Sequence, residues 1–153
     1  MNPTRARREW RRRGLLLVIA LFAMPMPAMA QSAAATRNGG SISPTEAYAA
    51  VKGGKTLLID TREAYEKRSG SPAGVGAEVT YHMGGRRDAD FVRDVLKLVD
   101  GKRDARITLV CQAGVRSAAA EQVLQKNGFT GVQSIAGGYD GWREQHLPSQ
   151  PAK

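Results

Sequence analysis

Between residues 42 and 148, short continuous apolar runs alternate with stretches whose apolar residues recur at helical spacing. Thr56-Leu57-Leu58-Ile59, ending at Asp60, and Ile107-Thr108-Leu109-Val110-Cys111 are uninterrupted enough to predict strands buried on both faces. Shorter strands are expected near Val79–His82 and over Val132–Ile135. Ser43-Pro44-Thr45-Glu46 has the order of a capping box, with Ser43 as N-cap and Pro44 opening a helix that stops at Gly53-Gly54. Arg62 to Lys67 is expected to form a short helical turn, and Ser69 to Gly76 a loop. Phe91, Val92, Val95 and Leu96 set a helical period over Asp88–Val99. A further helix is predicted over Ser117–Asn127 with Val123 and Leu124 inward, and a last one around Tyr139–His146. Strands alternating with helices predict an α/β fold, with a small, mostly parallel central sheet flanked by helices on both faces.

The N-terminal stretch follows another pattern. Arg5, Arg7, Arg8, Arg11, Arg12 and Arg13 precede an apolar run, Leu15 to Met24, that ends in Ala28-Met29-Ala30. That order predicts a cleavable signal peptide over residues 1–30, and hence a periplasmic or secreted protein. The run falls short of the ~20 apolar residues of a transmembrane helix, so no stable membrane insertion is expected after cleavage. Residues 31–41 are expected to be a flexible leader, 42–148 the single domain and 149–153 a tail. Charge changes the picture little. The chain carries a net +9, of which residues 1–30 hold +5, so the domain has no excess that would argue for nucleic-acid binding.

Export sharpens the question of Cys111, the one cysteine of the chain. A lone cysteine is either a buried inert thiol or a reactive one. Its place decides between them. It stands at the carboxyl end of a predicted central strand, where α/β sheets bind ligands. The loop Gln112-Ala113-Gly114-Val115-Arg116 then runs into the helix expected from Ser117. Loop amides converging on one point, the positive end of that helix and the Arg116 guanidinium would all favour a thiolate. A nucleophilic, exposed cysteine with a lowered pKa in an anion cradle is the expectation.

The run Cys111-Gln112-Ala113-Gly114-Val115-Arg116-Ser117 resembles the C-x-x-G-x-R-S loop of the rhodanese sulfurtransferases. Leu58-Ile59-Asp60-Thr61-Arg62 with Glu66 resembles the D-x-R-x-x-x-E motif of that family, and Gly137-Gly138-Tyr139-Asp140-Gly141-Trp142 with Leu147-Pro148 its closing G-G-x-x-x-W…L-P signature. The resemblance implies a ping-pong reaction with Cys111 as nucleophile. A small sulfur-donor anion such as thiosulfate would load a persulfide, and a thiol or cyanide acceptor would unload it. Gln112 through Arg116 and Ser117 would bind substrate, with Arg116 steering the anion. Asp60 and Arg62 would form a supporting salt-bridge network, with Glu66 as the partner of Arg62. Many members carry G-H-I-P-G-A where this chain has Gly70-Ser71-Pro72-Ala73-Gly74-Val75-Gly76-Ala77, so a reshaped wall is expected there.

Two other readings follow from the same loop. A non-catalytic rhodanese-like module could bind an anion or use Cys111 as a redox sensor. A cysteine-dependent phosphatase or arsenate reductase is disfavoured, because the phosphatase loop is C-x5-R and this loop holds no carboxylate to serve as acid. No cofactor is called for. Gly137–Gly141 lacks the G-x-G-x-x-G spacing, and His82 and His146 lack metal-ligand spacing.

Overall fold

The computed structural model describes residues 40–84 and 86–152. The expected signal peptide (1–30) and most of the leader (31–39) lie outside the described residues. In chain order the elements are α1 (Pro44–Lys52), β1 (Leu57–Asp60), a 3-10 turn (Glu66–Ser69), β2 (Ser71–Pro72), β3 (Val75–Glu78), α2 (Arg86–Leu98), β4 (Ile107–Val110), α3 (Val115–Lys126), β5 (Val132–Ser134), α4 (Gly138–Glu144) and β6 (Ser149–Gln150).

The two uninterrupted apolar runs become the centre of the sheet. Its order is β3-β1-β4-β5, all parallel, with Leu57 to Asp60 registered against Ile107 to Val110. Every residue of β4 is buried, because helices cover both faces. On one face Phe91, Val92, Val95 and Val99 of α2 and its end, with Ala120 and Leu124 of α3, pack on Ile59, Ile107, Leu109 and Val132. On the other, Ala47 of α1 with Tyr139 and Trp142 of α4 pack on Leu58, Val110 and Ile135. The expected α/β architecture is present. The capping box is too: the Ser43 hydroxyl accepts from the Glu46 amide, and the Glu46 carboxylate accepts from the Ser43 amide at 2.9 Å. Among the described residues no helix is long and apolar enough to cross a membrane.

Three local expectations shift. The strand expected near Val79–His82 lies four residues earlier, at Val75–Glu78, inside the stretch expected to be loop. As an edge strand it alternates half-buried and exposed residues, so its V-G-A-E sequence has no apolar run to betray it. The Val79 and Tyr81 amides still follow β1, donating to Asp60 and Thr61 carbonyls. The tail expected after Pro148 begins with two residues, β6, paired antiparallel to β2. Helix α3 starts at Val115, two residues ahead of the expected Ser117.

Candidate functional site

Strand β4 ends at Val110, whose carbonyl is held from the side by the Thr61 amide and hydroxyl, both at 2.8 Å. Cys111 therefore leaves the sheet while still walled in by its neighbours. It is 1% exposed, and this corrects the expectation of an exposed thiol. The exposed members of the loop are Ala113 and Val115 at its tip, whereas Cys111 and Ser117 lie buried at its base. The Gly114 amide donates to the Cys111 Sγ at 3.1 Å, and the Ser117 hydroxyl lies 3.4 Å from the same atom. Gly114 has φ 89° and serves as N-cap of α3, a conformation that costs a residue with a Cβ.

What aims the loop is α4. The amides of its first turn have no acceptors within their own helix. The Tyr139 amide donates to the Cys111 carbonyl at 2.8 Å, and the Asp140 amide to the Gln112 carbonyl at 3.0 Å. The Cys111 and Gln112 carbonyls are thus committed to α4, while most of the loop amides are not so engaged. Among the described residues those of Gln112, Ala113, Val115 and Arg116 meet no backbone acceptor. Gly138 makes this docking possible. A Cβ there would sit 2.4 Å from the Cys111 carbonyl oxygen and 2.6 Å from the Gly114 nitrogen. The sequence reading recognised Gly137-Gly138 only as part of a signature; its role is to let two backbones touch.

Below the loop lies a buried polar network. Arg62 and Asp60 are both fully buried and ion-paired at 2.8 Å. The Arg62 guanidinium also donates to the Gly70 carbonyl, the Ser71 hydroxyl and the Gln112 side-chain oxygen, and it lies 4.3 Å from the centroid of the Tyr139 ring. Gln112 in turn donates to Asp140 at 2.6 Å. Asp60 and Arg62 thus form a buried ion pair that reaches the loop through Gln112. Ser71 and Asp140 join them, missed because Ser71 precedes Cys111 by forty residues and Asp140 follows Gln112 by twenty-eight, and the Tyr139 ring covers Arg62 from the same helix as Asp140. The Gly70–Ala77 stretch contributes Ser71 as a partner of Arg62 and holds β2 and most of β3.

Glu66 does not pair through its carboxylate with Arg62, which reaches only its carbonyl, at 3.2 Å. Residues 62–65 form no helix, so the four-residue spacing does not bring those side chains together. Instead the Glu66 carboxylate spans the site: Oε1 binds the Arg116 guanidinium and Oε2 accepts from the Glu63 amide at 2.8 Å. Burial would push the Glu66 carboxyl up. The Arg116 hydrogen bond, the Glu63 amide and the charges of Arg116 and Arg62 outweigh it and hold the carboxyl below its usual value. The hydrogen bond to Glu66 raises Arg116 in turn. A carboxylate therefore stands at the site after all, brought by the segment after β1 rather than by the loop. A shallow cleft of about 530 Å³ lies along the outer side of the loop, lined by Gly114, Val115, Ala118, Ala119 and Gly137.

Comparison with known proteins places this geometry. Residues 43–145 match the model of the rhodanese-like domain. The chain is 34% identical over 118 residues to thiosulfate sulfurtransferase 16, chloroplastic, of Arabidopsis thaliana, covering 75% of this chain and 96% of that protein. It is 26% identical over 111 residues to thiosulfate sulfurtransferase GlpE of Actinobacillus pleuropneumoniae, covering 72% and 93% respectively. Other curated relatives are longer, and the chain spans 14% of one and 50% of another. Among solved structures, the crystal structure of a rhodanese-related protein from Thermoplasma volcanium superposes with a TM-score of 0.56 at 26% identity, covering 72% of this chain and 96% of that one. With the cysteine loop, its α4 brace and the Asp60–Arg62 support all in one domain, the chain belongs to the rhodanese-like sulfurtransferase family.

Proposed function

We propose that this protein is an exported sulfurtransferase that carries a sulfane sulfur as a persulfide on Cys111, taken from thiosulfate or a similar donor and passed to a thiol or cyanide. The observation that carries the reading is the Gly114 N–H on the Cys111 Sγ, within a loop whose Cys111 and Gln112 carbonyls are bonded to α4. Such a loop stabilises negative charge at the sulfur and on an atom bonded to it. In the first step the Cys111 thiolate attacks the outer sulfur of thiosulfate; the S–S bond of the donor breaks and sulfite leaves with the bonding pair. The new Cys–S–S⁻ group carries one negative charge, suited to the unengaged amides of the loop. In the second step cyanide attacks the outer sulfur, thiocyanate leaves and the thiolate returns. No redox partner or cofactor is needed.

Export rests on the arginine-rich start, the apolar run and Ala28-Met29-Ala30. Its check is the N-terminal residue of the protein recovered outside the cytoplasm, expected to be Gln31. The catalytic reading is tested by intact mass spectrometry after incubation with thiosulfate, without reductant. The wild type is expected to gain one sulfur atom, lost again to cyanide with release of thiocyanate, and Cys111→Ser to gain none. A folded wild type that takes up no sulfur would turn the reading toward a binding or redox-sensing module.

A further inference from the structure

The cradle has little positive charge left to offer a doubly charged anion. Two guanidinium groups belong to the loop or bond to it, and each already holds a carboxylate: Arg62 holds Asp60, and Arg116 holds Glu66, while a third, that of Arg143, lies further off at 6.0 Å from the centroid of the Tyr139 ring. A third carboxylate, Asp140, sits on Gln112. Among the described residues no other Lys, Arg or His side chain is bonded to residues 111–117. Glu66 is not free to swing aside when a donor arrives, because its second oxygen is tied to the Glu63 amide. The pair is also sheltered, with side chains 23% and 12% exposed for Arg116 and Glu66, so water screens it only in part. Arg116 keeps N–H groups that Glu66 does not use, since a guanidinium has five. It can still orient an oxyanion, but as part of a pair with no net charge.

We propose that Glu66 sets the choice of sulfur donor, by neutralising Arg116 and so favouring donors with a single negative charge over the thiosulfate dianion. This rests on the persulfide reading of Cys111 and deepens it. The donor class is organic: a thiosulfonate R–SO2–S⁻ or the persulfide of a small thiol. With a thiosulfonate the Cys111 thiolate attacks the terminal sulfur, the S–S bond breaks and the sulfinate R–SO2⁻ leaves with the electron pair. Two negative charges enter and two remain, one on Cys–S–S⁻ and one on the sulfinate. With thiosulfate, three negative charges, that of the thiolate included, must be gathered beside Asp140 and Glu66. Glu66 acts here through Arg116, as a positioning residue.

The test compares thiosulfate with methanethiosulfonate, which carries the same transferable sulfur and one charge less. Rates of sulfur loading are followed by mass spectrometry on the wild type and Glu66→Gln. Glutamine keeps an oxygen for the Glu63 amide and loses the charge. The wild type is expected to prefer methanethiosulfonate. In Glu66→Gln the preference is expected to shift toward thiosulfate by about tenfold, chiefly through a lower KM for thiosulfate. An unchanged ratio, with both donors still loading Cys111, would overturn the role of Glu66 while leaving the sulfurtransferase reading intact. If neither donor loads the wild type, both fall. Should the variant fold poorly, protection of the wild-type thiol from alkylation decides. Methanesulfonate is expected to protect at lower concentration than sulfate, and the reverse order would overturn the proposal.

Discussion

The two helix layers do different work on one sheet. The α2–α3 layer meets it through aliphatic and aromatic side chains, Phe91, Val92, Val95, Ala120 and Leu124. The α1–α4 layer shares the burial, with Trp142 fully covered, but it also docks backbone to backbone. Its Tyr139 and Asp140 amides hold the carbonyls of the cysteine loop, and its Tyr139 ring covers Arg62. A side-chain interface tolerates exchange at some loss of packing, whereas contact between backbones leaves no room for adjustment. Stability is therefore spread over both layers, and the direction of the Cys111 and Gln112 carbonyls depends on one.

Substitutions can break that contrast. Arg62→Met leaves Asp60 buried beside the loop without its cation and is expected to cost about 3–5 kcal/mol, read as a lower urea midpoint together with lost sulfur loading. Gly138→Ala forces a Cβ into the Cys111 carbonyl at φ 59° and is expected to cost about 3 kcal/mol. In the fraction that folds, sulfur loading on Cys111 should fall more than a hundredfold, because the loop must retreat from α4. Val95→Ala, in the other layer, is expected to cost about 2 kcal/mol through the cavity it leaves. Its loading rate per folded molecule should match the wild type. A slowed rate there would dissolve the contrast between the layers.

The smallest expected effect is in acid. The Glu66 carboxyl is held below its usual value, so the unfolded chain takes up that proton first. The stability it contributes is complete above the unfolded value of 4.5 and is lost as pH falls through the lower value of the folded protein. The urea midpoint of Glu66→Gln, followed from neutral pH to below 4.5, should decline less steeply than that of the wild type. Glu46, lowered by the Ser43 hydroxyl and amide, adds to the same slope in both proteins.

The contrast between layers also explains what could be read from the amino-acid order. Apolar period located α2, and uninterrupted apolar runs located β1 and β4, because the forces there are side-chain burial. Ser43 and Glu46 announced α1 through local hydrogen bonds three residues apart. The edge strands β2, β3 and β6 carry no such signal, since β2 and β6 are two residues each and are defined only by each other. Of the site, Cys111 through Ser117 was legible as one contiguous motif. The partner of Glu66 was not, because its carboxylate meets Arg116 fifty residues away, and local spacing pointed to Arg62 instead. Gly138 was visible as a letter of a signature, but a contact made by the absence of a side chain leaves no physical trace in sequence.

The dependence of the loop on α4 also fixes the order in which the protein becomes competent. A ribosome delivers the chain from its N-terminus, so Cys111 emerges well before Tyr139 and Asp140. Until those last residues arrive, the Cys111 and Gln112 carbonyls have nothing to turn toward, and the thiol sits in an unshaped segment. The nascent chain thus passes through a stage with its cysteine but no cradle, and a fragment ending before Gly138 never leaves it.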